Sequence, residues 1–275
     1  MNKKTQLMTK LSASPYIVWM IIFIIFPLIV VAYYAFTNSA GDFTLNNIAN
    51  LSRYTDTILR SIWFGAIATL ICLIISYPLA YIISQATENS QRTLIMLVML
   101  PMWMNFLLRT YSWMLLLEDT GIINNFLTKI GIGPFQMINT SSAVILGMVY
   151  NYLPYMILPL YSIMSRMDKK VIEAARDLGG NNSTVIKKVV FPLSMPGVIS
   201  GITMVFVPSV STFYISQKLG GGKFTLIGDV IEMQFQTSYN YNLGAAISLF
   251  LMVLILVCLF VMNKFADDEE GGIIV

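Results

Sequence analysis

The chain has few side chains suited to acid–base, nucleophilic or metal-binding chemistry. Its 275 residues contain no histidine, two cysteines and 14 acidic residues. Cys72 and Cys258 both lie inside apolar runs, so we expect buried thiols and no disulfide framework. Hydrolases and metal sites that depend on histidine are therefore excluded, and we expect no catalytic residue and no bound metal or cofactor.

Polar chemistry is concentrated in one segment, residues 165–188, which holds six of the 17 basic residues. Asp168 is a good helix N-cap, and Gly179 and Gly180 are typical of a helix end, because glycine adopts the left-handed conformation cheaply. The apolar positions of the helix between them are predicted to form one stripe: Val171, Ile172, Ala175 and Leu178. The segment therefore predicts an amphipathic helix closed by a glycine turn.

A second short helix, 184–191, is predicted to follow, with Ser183 as its cap and Pro192 as its end. In the first helix, the pair Ala174 and Ala175 lets another surface come close, and Glu173 can give that surface an ionic contact. Two interpretations fit this pattern. The helices could lie on lipid headgroups, or they could form a rigid knob that docks into a groove of a cytoplasmic partner.

The composition of the whole chain indicates the class of protein that carries this segment. Hydrophobic residues make up 56% of the chain and charged residues 11%, against about 45–50% and about 25% in an average soluble domain. The net charge of +3 is too small and too scattered to indicate a nucleic-acid partner. These values predict an integral membrane protein.

Six membrane-spanning helices are predicted, because a span needs about 20 predominantly apolar residues. Their expected positions are 16–36, 62–83, 94–117, 143–164, 196–215 and 243–262. Asn105 and Arg109 interrupt the third, and we expect Arg109 to pair with a carboxylate or with helix-end carbonyls. The first run is longer than the core of a signal peptide, so it is interpreted as an uncleaved helix.

The distribution of basic residues predicts the orientation. With the N-terminus in the cytoplasm, eleven basic residues lie inside: Lys3, Lys4, Lys10, Arg92, Arg166, Lys169, Lys170, Arg176, Lys187, Lys188 and Lys264. Five lie outside: Arg53, Arg60, Lys129, Lys218 and Lys223. We therefore expect both termini, and the loop 165–192, to be cytoplasmic.

The loop carries a recognisable pattern. Glu173-Ala174-Ala175, then Gly179 after three residues and Val189-Val190-Phe191-Pro192 after nine more, resembles the EAA loop of bacterial ABC importer permeases, EAA-x3-G-x9-I-x-L-P. Val189 replaces the Ile and Phe191 the Leu. In that family the loop is the coupling helix, which sits in a cleft of the ATPase subunit. The resemblance implies that the ATPase-coupling residues are Glu173, Ala174, Ala175, Gly179 and Pro192, and it favours the docking interpretation.

The likeness covers nearly the whole chain. Segments 108–113, 121–124, 213–216, 219–223 and 227–235 are similar to permeases of spermidine/putrescine transporters, in particular to the first of the two permease subunits. The resemblance implies an all-α type I importer permease with a coupling helix, importing polyamines across the inner membrane. It also implies four kinds of partner: a second homologous permease, an ATPase dimer that binds ATP and Mg²⁺, an extracytoplasmic polyamine-binding protein, and membrane lipid.

A polyamine path needs carboxylates or carbonyls for the ammonium groups and aromatic faces for charges and methylenes. The candidates in spans or at their outer ends are Asp229, Glu232, Phe213, Tyr214, Gln217, Trp103, Tyr111, Glu118 and Asp119. If their segment is helical, Asp229 and Glu232 share a face one turn apart. Two other interpretations stay open: an interfacial belt for the aromatic residues and a solvated helix end for Glu118 and Asp119.

Other functions also fit parts of the sequence. A secondary transporter is disfavoured because no Asp or Glu lies deep in a predicted span, and a membrane-embedded enzyme because histidine is absent. Importers of opines, thiamine and ferric iron share parts of the substrate-level motifs. An importer of one of those solutes is therefore the main alternative.

Overall fold

The computed structural model describes residues 14–270, and the regular structure in this range is helical apart from one isolated bridge between Thr37 and Phe43. Lys3, Lys4 and Lys10, which entered the orientation count, lie outside the described residues. The helices are α1 Ser14–Ala35, α2 Thr55–Gln85, α3 Glu88–Trp103, α4 Phe106–Leu117, α5 Ile122–Lys129, α6 Ser141–Met164, α7 Lys169–Asp177, α8 Asn182–Ser211, α9 Tyr214–Gly220, α10 Ile227–Gln236 and α11 Tyr241–Glu270. Two short turns, Asn46–Ala49 and Asn50–Tyr54, precede α2.

The number of spans agrees with the prediction. Within the described range, five helical stretches are long and apolar enough to cross a membrane: α1, Asn46–Gln85 with α2 at its end, α6, α8, and Tyr241–Met262 of α11. The pair Glu88–Trp103 and Phe106–Lys129 gives a sixth if it is taken as one broken span, bent by 87°. The predicted all-α membrane protein is therefore confirmed, with a third span that is divided.

The division of the third span has a local cause. Helix α3 ends at Trp103, and the Asn105 side chain accepts a hydrogen bond from the Leu107 backbone N–H (2.8 Å) at the start of α4. An asparagine that caps in this way starts a new helix, because it satisfies a donor that has no partner in the first turn. The predicted third span, 94–117, is therefore two helices, with the break at Asn105 and with Arg109 inside α4.

The fifth span also differs from its predicted bounds. Helix α8 begins at Asn182 and ends at Ser211, so Ile215 lies in α9. The separate helix 184–191 is wrong too, because Pro192 lies inside α8. A π turn, Ile186–Val190, ends two residues before Pro192, and the Phe191 N–H donates to the Ile186 carbonyl. This wider turn absorbs the proline, which would break a regular α-helix.

Residues 56–229 and 255–270 form one compact unit. Its core lies between α6 and α8, where glycines allow close approach. A Cβ on Gly201 would lie 2.5 Å from the Met156 sulfur, and one on Gly197 would lie 3.0 Å from the Pro159 carbonyl oxygen. Small residues have the same use between other membrane helices. A hydrogen bond of 2.9 Å between the Tyr77 and Ser194 hydroxyls joins α2 to α8.

Residues 14–55 and 230–254 form a second unit. Ala35 of α1 is buried with Ala245 and Ala246 of α11. The Asn242 amide donates to the carbonyls of Thr37 (2.7 Å) and Tyr34 (3.1 Å), and so satisfies oxygens at the end of α1. The expectation of one permease domain over 1–275 stays a prediction.

Candidate functional site

The amphipathic helix that the sequence predicts after Asp168 is present as α7, and its ends agree with the sequence signals. The Asp168 carboxylate accepts a hydrogen bond from the Lys170 N–H (3.0 Å). Gly179 has φ +83°, in the left-handed region, and a Cβ on Gly180 would lie 2.5 Å from the Ala175 carbonyl oxygen. Position 179 thus favours glycine because its φ is positive, and position 180 requires glycine because there is no space for a Cβ.

The cap of the following helix is not Ser183. The Asn181 side-chain oxygen accepts from both the N–H and the hydroxyl of Thr184 (2.8 Å each). Asparagine is among the strongest N-caps, and the helix starts as soon as the glycine turn ends. Helix α8 therefore begins two residues earlier than the predicted second helix.

A small hydrophobic core holds the loop together. Ile172 of α7 is buried with Val185 and Val190 of α8, and partly buried Tyr81 and Met167 pack against them. Tyr81 belongs to α2, so the loop is anchored to a membrane-spanning helix as well as to its own second half. This core gives α7 a fixed orientation.

The outer surface of α7 is partly apolar. The predicted stripe is divided, because Ile172 is buried while Val171 is 46% exposed and Leu178 is 90% exposed. Neighbouring residues on a helix point about 100° apart, and here Ile172 points into the core while Val171 points away from it. Glu173 and Ala174 are exposed and Ala175 is half-buried. We call Val171, Ala174 and the C-cap residue Leu178 the outer face of α7.

The structure gives Asp229 internal partners. This carboxylate is buried and accepts hydrogen bonds from the Ser216 hydroxyl (2.9 Å) and the Leu226 N–H (2.7 Å). It is the third residue of α10 and lies three residues after Leu226, as in a capping box, and its charge is stabilised by the helix N-terminus. The Ile227 N–H donates to Ser61 of α2 (2.8 Å). Glu232 lies further along α10 and is half-buried.

Glu118 and Asp119 line a cavity of about 350 Å³ at the end of α4. Lys218 of α9 lines the same cavity, together with Met114, Thr120, Ile138 and Asn139. Two carboxylates and one ammonium give this wall an excess of negative charge. The volume lies near the lower end of the range for small-molecule sites, about 300–1,000 Å³.

Two of the predicted aromatic residues come together beside this cavity. The rings of Tyr111 (α4) and Tyr214 (α9) meet edge to face at 6.1 Å, and Phe106 lies 6.1 Å from Tyr214. The Lys218 ammonium lies 5.3 Å from the centre of the Tyr111 ring and 5.7 Å from that of Tyr214. Both distances are within the range of a cation–π contact, about 6 Å.

The remaining predicted residues are placed differently. Phe213, at the break before α9, is 41% exposed, and Gln217 in α9 is half-buried. Trp103 ends α3 and is 68% exposed. The residue that the sequence search missed is Lys218. Its spacing of four from Tyr214 was a usable signal, because residues four apart share a helix face.

In the described residues, Arg109 makes fewer hydrogen bonds than the sequence predicts. Its side chain is 7% exposed, and within residues 14–270 its Nε and Nη1 atoms have no hydrogen-bond partner. The guanidinium lies 6.0 Å from the centre of the Phe106 ring. The predicted carboxylate or carbonyl is therefore missing for these two atoms.

Comparison with known proteins decides the family. The family model "binding-protein-dependent transport system inner membrane component" matches residues 90–268. The chain belongs to this family. It is therefore a multi-pass inner membrane permease subunit, and ATP is hydrolysed by a partner ATPase. Dependence on a binding protein also implies such a protein on the outer side.

Individual relatives extend the match to nearly the whole chain. This chain is 39% identical to the spermidine/putrescine transport system permease protein PotB of Haemophilus influenzae, over 96% of this chain and 94% of the relative. It is 36% identical to the Escherichia coli K12 protein of the same name, over 86% and 89%. The predicted resemblance is confirmed.

A solved structure supports the fold. A chain of a bacterial ABC transporter that imports the acidic polysaccharide alginate superposes with a TM-score of 0.77 at 16% identity, covering 96% of both chains. The predicted importer-permease architecture is therefore confirmed. Since alginate is acidic, the permease fold does not by itself set the charge of the solute.

Proposed function

We propose that this chain carries polyamines, spermidine and putrescine, inward as one permease subunit of an ATP-driven importer. The observation that carries this proposal is the identity to two permeases named for spermidine and putrescine, which extends over most of each chain. The acidic cavity with its neighbouring aromatic pair supports it, because both features suit an organic cation.

Both termini are proposed to be cytoplasmic, on the distribution of basic residues. In this orientation α7 lies on the cytoplasmic side, whereas the end of α4 and the glycine-rich segment after α9 lie outside. The cavity lined by Glu118, Asp119 and Lys218 then faces the compartment from which the binding protein delivers the solute.

The loop 165–192 is proposed to contact the ATPase. Glu173, Ala174, Ala175 and Gly179 would make the contact, and Pro192 would mark the point where the loop enters α8. Two features of α7 support this role: the exposed Leu178 is available to a partner, and the core around Ile172 can transmit force to α2 and α8. Lipid headgroups stay the alternative partner for this face.

A second homologous permease is proposed to complete the path. Tyr111 is 39% exposed and Tyr214 half-buried, so the aromatic pair presents an open side that another subunit can close. Phe213, Gln217, Trp103, Glu118, Asp119 and Glu232 stay proposed path residues. Asp229 is proposed to act indirectly, because its hydrogen bonds to Ser216 and Leu226 hold the start of α10.

Transport then follows from two states with different affinities. ATP binding closes the ATPase dimer, α7 moves with it, and the cavity changes the side to which it opens. The cation must be bound less tightly in one state than in the other, since a ligand that binds both equally cannot be released by the change. The permease itself supplies no reacting group.

The test is uptake of labelled putrescine and spermidine in cells that lack other polyamine importers. The partner subunits are supplied with this chain, with its Glu173→Ala variant, or without it. We expect ATP-dependent uptake that requires the chain and weakens in the variant. A complex that assembles and hydrolyses ATP but imports neither polyamine would contradict the substrate, and opines, thiamine and ferric iron would be tried in the same cells.

A further inference from the structure

Helix α9 is held so that one of its faces is directed at α4. Ile215 and Leu219 are fully buried, and a Cβ on Gly147 of α6 would lie 2.9 Å and 2.4 Å from them. Tyr214 and Lys218, four residues apart, lie together on another face of α9. Packing on α6 therefore brings the Lys218 side chain to Tyr111 of α4.

The rings of Tyr111 and Tyr214 form what we call the ammonium seat. Lys218 places its ammonium against both rings, at 5.3 Å and 5.7 Å from their centres. The electron-rich face of an aromatic ring attracts a cation, and two rings that meet at an edge offer two such faces. The seat is thus occupied by a cation from the protein itself.

Lys218 is also chemically equivalent to part of a polyamine. Its side chain is a chain of four methylenes that ends in a primary ammonium, and putrescine is the same unit with an ammonium at each end. The residue lines the cavity that Glu118 and Asp119 also line, so carboxylates are available on the other side of it. A flexible lysine has room to leave the seat towards them.

We propose that Lys218 is a tethered competitor for the substrate. Its aminobutyl group occupies the ammonium seat when no substrate is bound, and a primary ammonium of the substrate takes the seat while Lys218 moves into the acidic cavity. The class of ligand is a primary alkylammonium, and its identification with a polyamine rests on the proposed function. The competition lowers affinity in the empty permease and so favours release.

The test is equilibrium binding of labelled putrescine, and separately of n-butylammonium, to the complete permease–ATPase complex in lipid nanodiscs without binding protein. Lys218→Met keeps the length of the side chain and removes its ammonium. We expect this variant to bind both probes more tightly, by roughly two- to thirtyfold, the range of a cation–π contact. Lys218→Arg keeps the charge and should bind no more tightly than the unaltered complex.

Two further variants separate competition from a general gain of negative charge. Lys223 is exposed, five residues beyond Lys218, and Lys223→Met removes the same charge without emptying the seat. It should leave affinity unchanged. The gain in Lys218→Met should also disappear when Tyr214→Leu is added, because the seat is then lost. Co-purification with the ATPase shows that each variant is assembled, and Lys218→Gln replaces Lys218→Met if assembly fails.

The outcomes are distinct. Equal affinity in Lys218→Met and the unaltered complex, an equal gain in Lys223→Met, or a gain that persists with Tyr214→Leu would overturn the competition. If the unaltered complex imports no polyamine but Lys218→Met gains affinity for n-butylammonium, the seat stands and the proposed substrate fails. If the unaltered complex imports polyamine but no variant gains affinity, the proposed substrate stands and the competition by Lys218 fails.

Discussion

The loop around α7 and the cavity between α4 and α9 are built from different kinds of side chain. The loop is built from aliphatic side chains, with Ile172 buried inside and Leu178 exposed outside. The cavity is built from long charged and aromatic side chains, with Lys218 between carboxylates and tyrosines. This difference fits the roles proposed above, because a loop that transmits force must be stiff, whereas a cavity that binds and releases a flexible cation can use side chains that move.

This contrast makes separable predictions. Changes in the loop should affect association with the ATPase and turnover, and leave binding of the cation unaltered. Changes at the cavity should affect binding of the cation and leave the ATPase contact unaltered. Four substitutions test this division.

The largest effect is expected from Ile172→Asp. A charge in the loop core costs several kcal/mol, so α7 should detach from α8 and uptake should be lost. Limited trypsin digestion should show faster cleavage at Lys169, Lys170 and Arg176. Val171→Asp adds the same charge to the exposed side of α7 and should not speed digestion. Equal digestion rates for the two variants would contradict a core centred on Ile172.

Leu178→Ser should leave the permease folded, because this side chain is 90% exposed. If Leu178 becomes buried against the ATPase, its loss should weaken association by about 1.5–3 kcal/mol, which is roughly ten- to a hundredfold. The measurement is the affinity of the purified ATPase for the permease in nanodiscs. Ile132→Ser, in an exposed stretch between α5 and α6, is the matched control. Unchanged association with Leu178→Ser would favour lipid as the partner of the outer face.

Gly179→Ala should have a smaller effect. Its φ of +83° is strained for alanine by about 1–2 kcal/mol, although an added Cβ would meet no atom within 4 Å. Gly131 has φ +77° and equally open surroundings, so Gly131→Ala is a control with the same strain elsewhere. Uptake should fall a fewfold with Gly179→Ala alone. A similar fall with Gly131→Ala would show that the effect is general destabilisation.

The smallest effect is expected from Tyr214→Leu, which removes one ring of the ammonium seat. Loss of a cation–π contact of about 0.5–2 kcal/mol should weaken binding of putrescine, most clearly when Lys218→Met is also present. The ATPase should associate as before. Phe126→Leu changes an exposed aromatic residue of α5 and is the control. Weaker association of the ATPase with the Tyr214→Leu variant would contradict the division of roles between the two regions.

The features that depend on near neighbours in sequence could be predicted. Asp168 and Gly179 mark the ends of α7, because caps and left-handed turns involve only adjacent backbone groups. Asn181 shows the limit of this reasoning. Asn181 and Ser183 are both good N-cap residues, and which of them caps α8 depends on the residue at which the glycine turn ends. The π turn could not be predicted, because the rule that proline ends a helix assumes regular α-helical geometry.

The cavity was predicted less well, because it depends on packing between distant segments. Lys218 reaches Tyr111 through the contact of α9 with Gly147, and neither partner indicates the other in the sequence. A search for carboxylates and aromatic faces also passes over a lysine. Asp229 is a different case. Its position three residues into α10 is a local capping signal, and that signal could have separated it from Glu118 and Asp119.

The π turn at Ile186–Val190 has a consequence for chimeric and deletion permeases. Its hydrogen bond spans one residue more than those of an α-helix, so the wider turn holds one extra residue. Removing one residue there would therefore restore a regular α turn and leave the helix before and after it in nearly the same rotational register. A loop transplanted from another permease could thus lack this residue and still present α7 in the same direction.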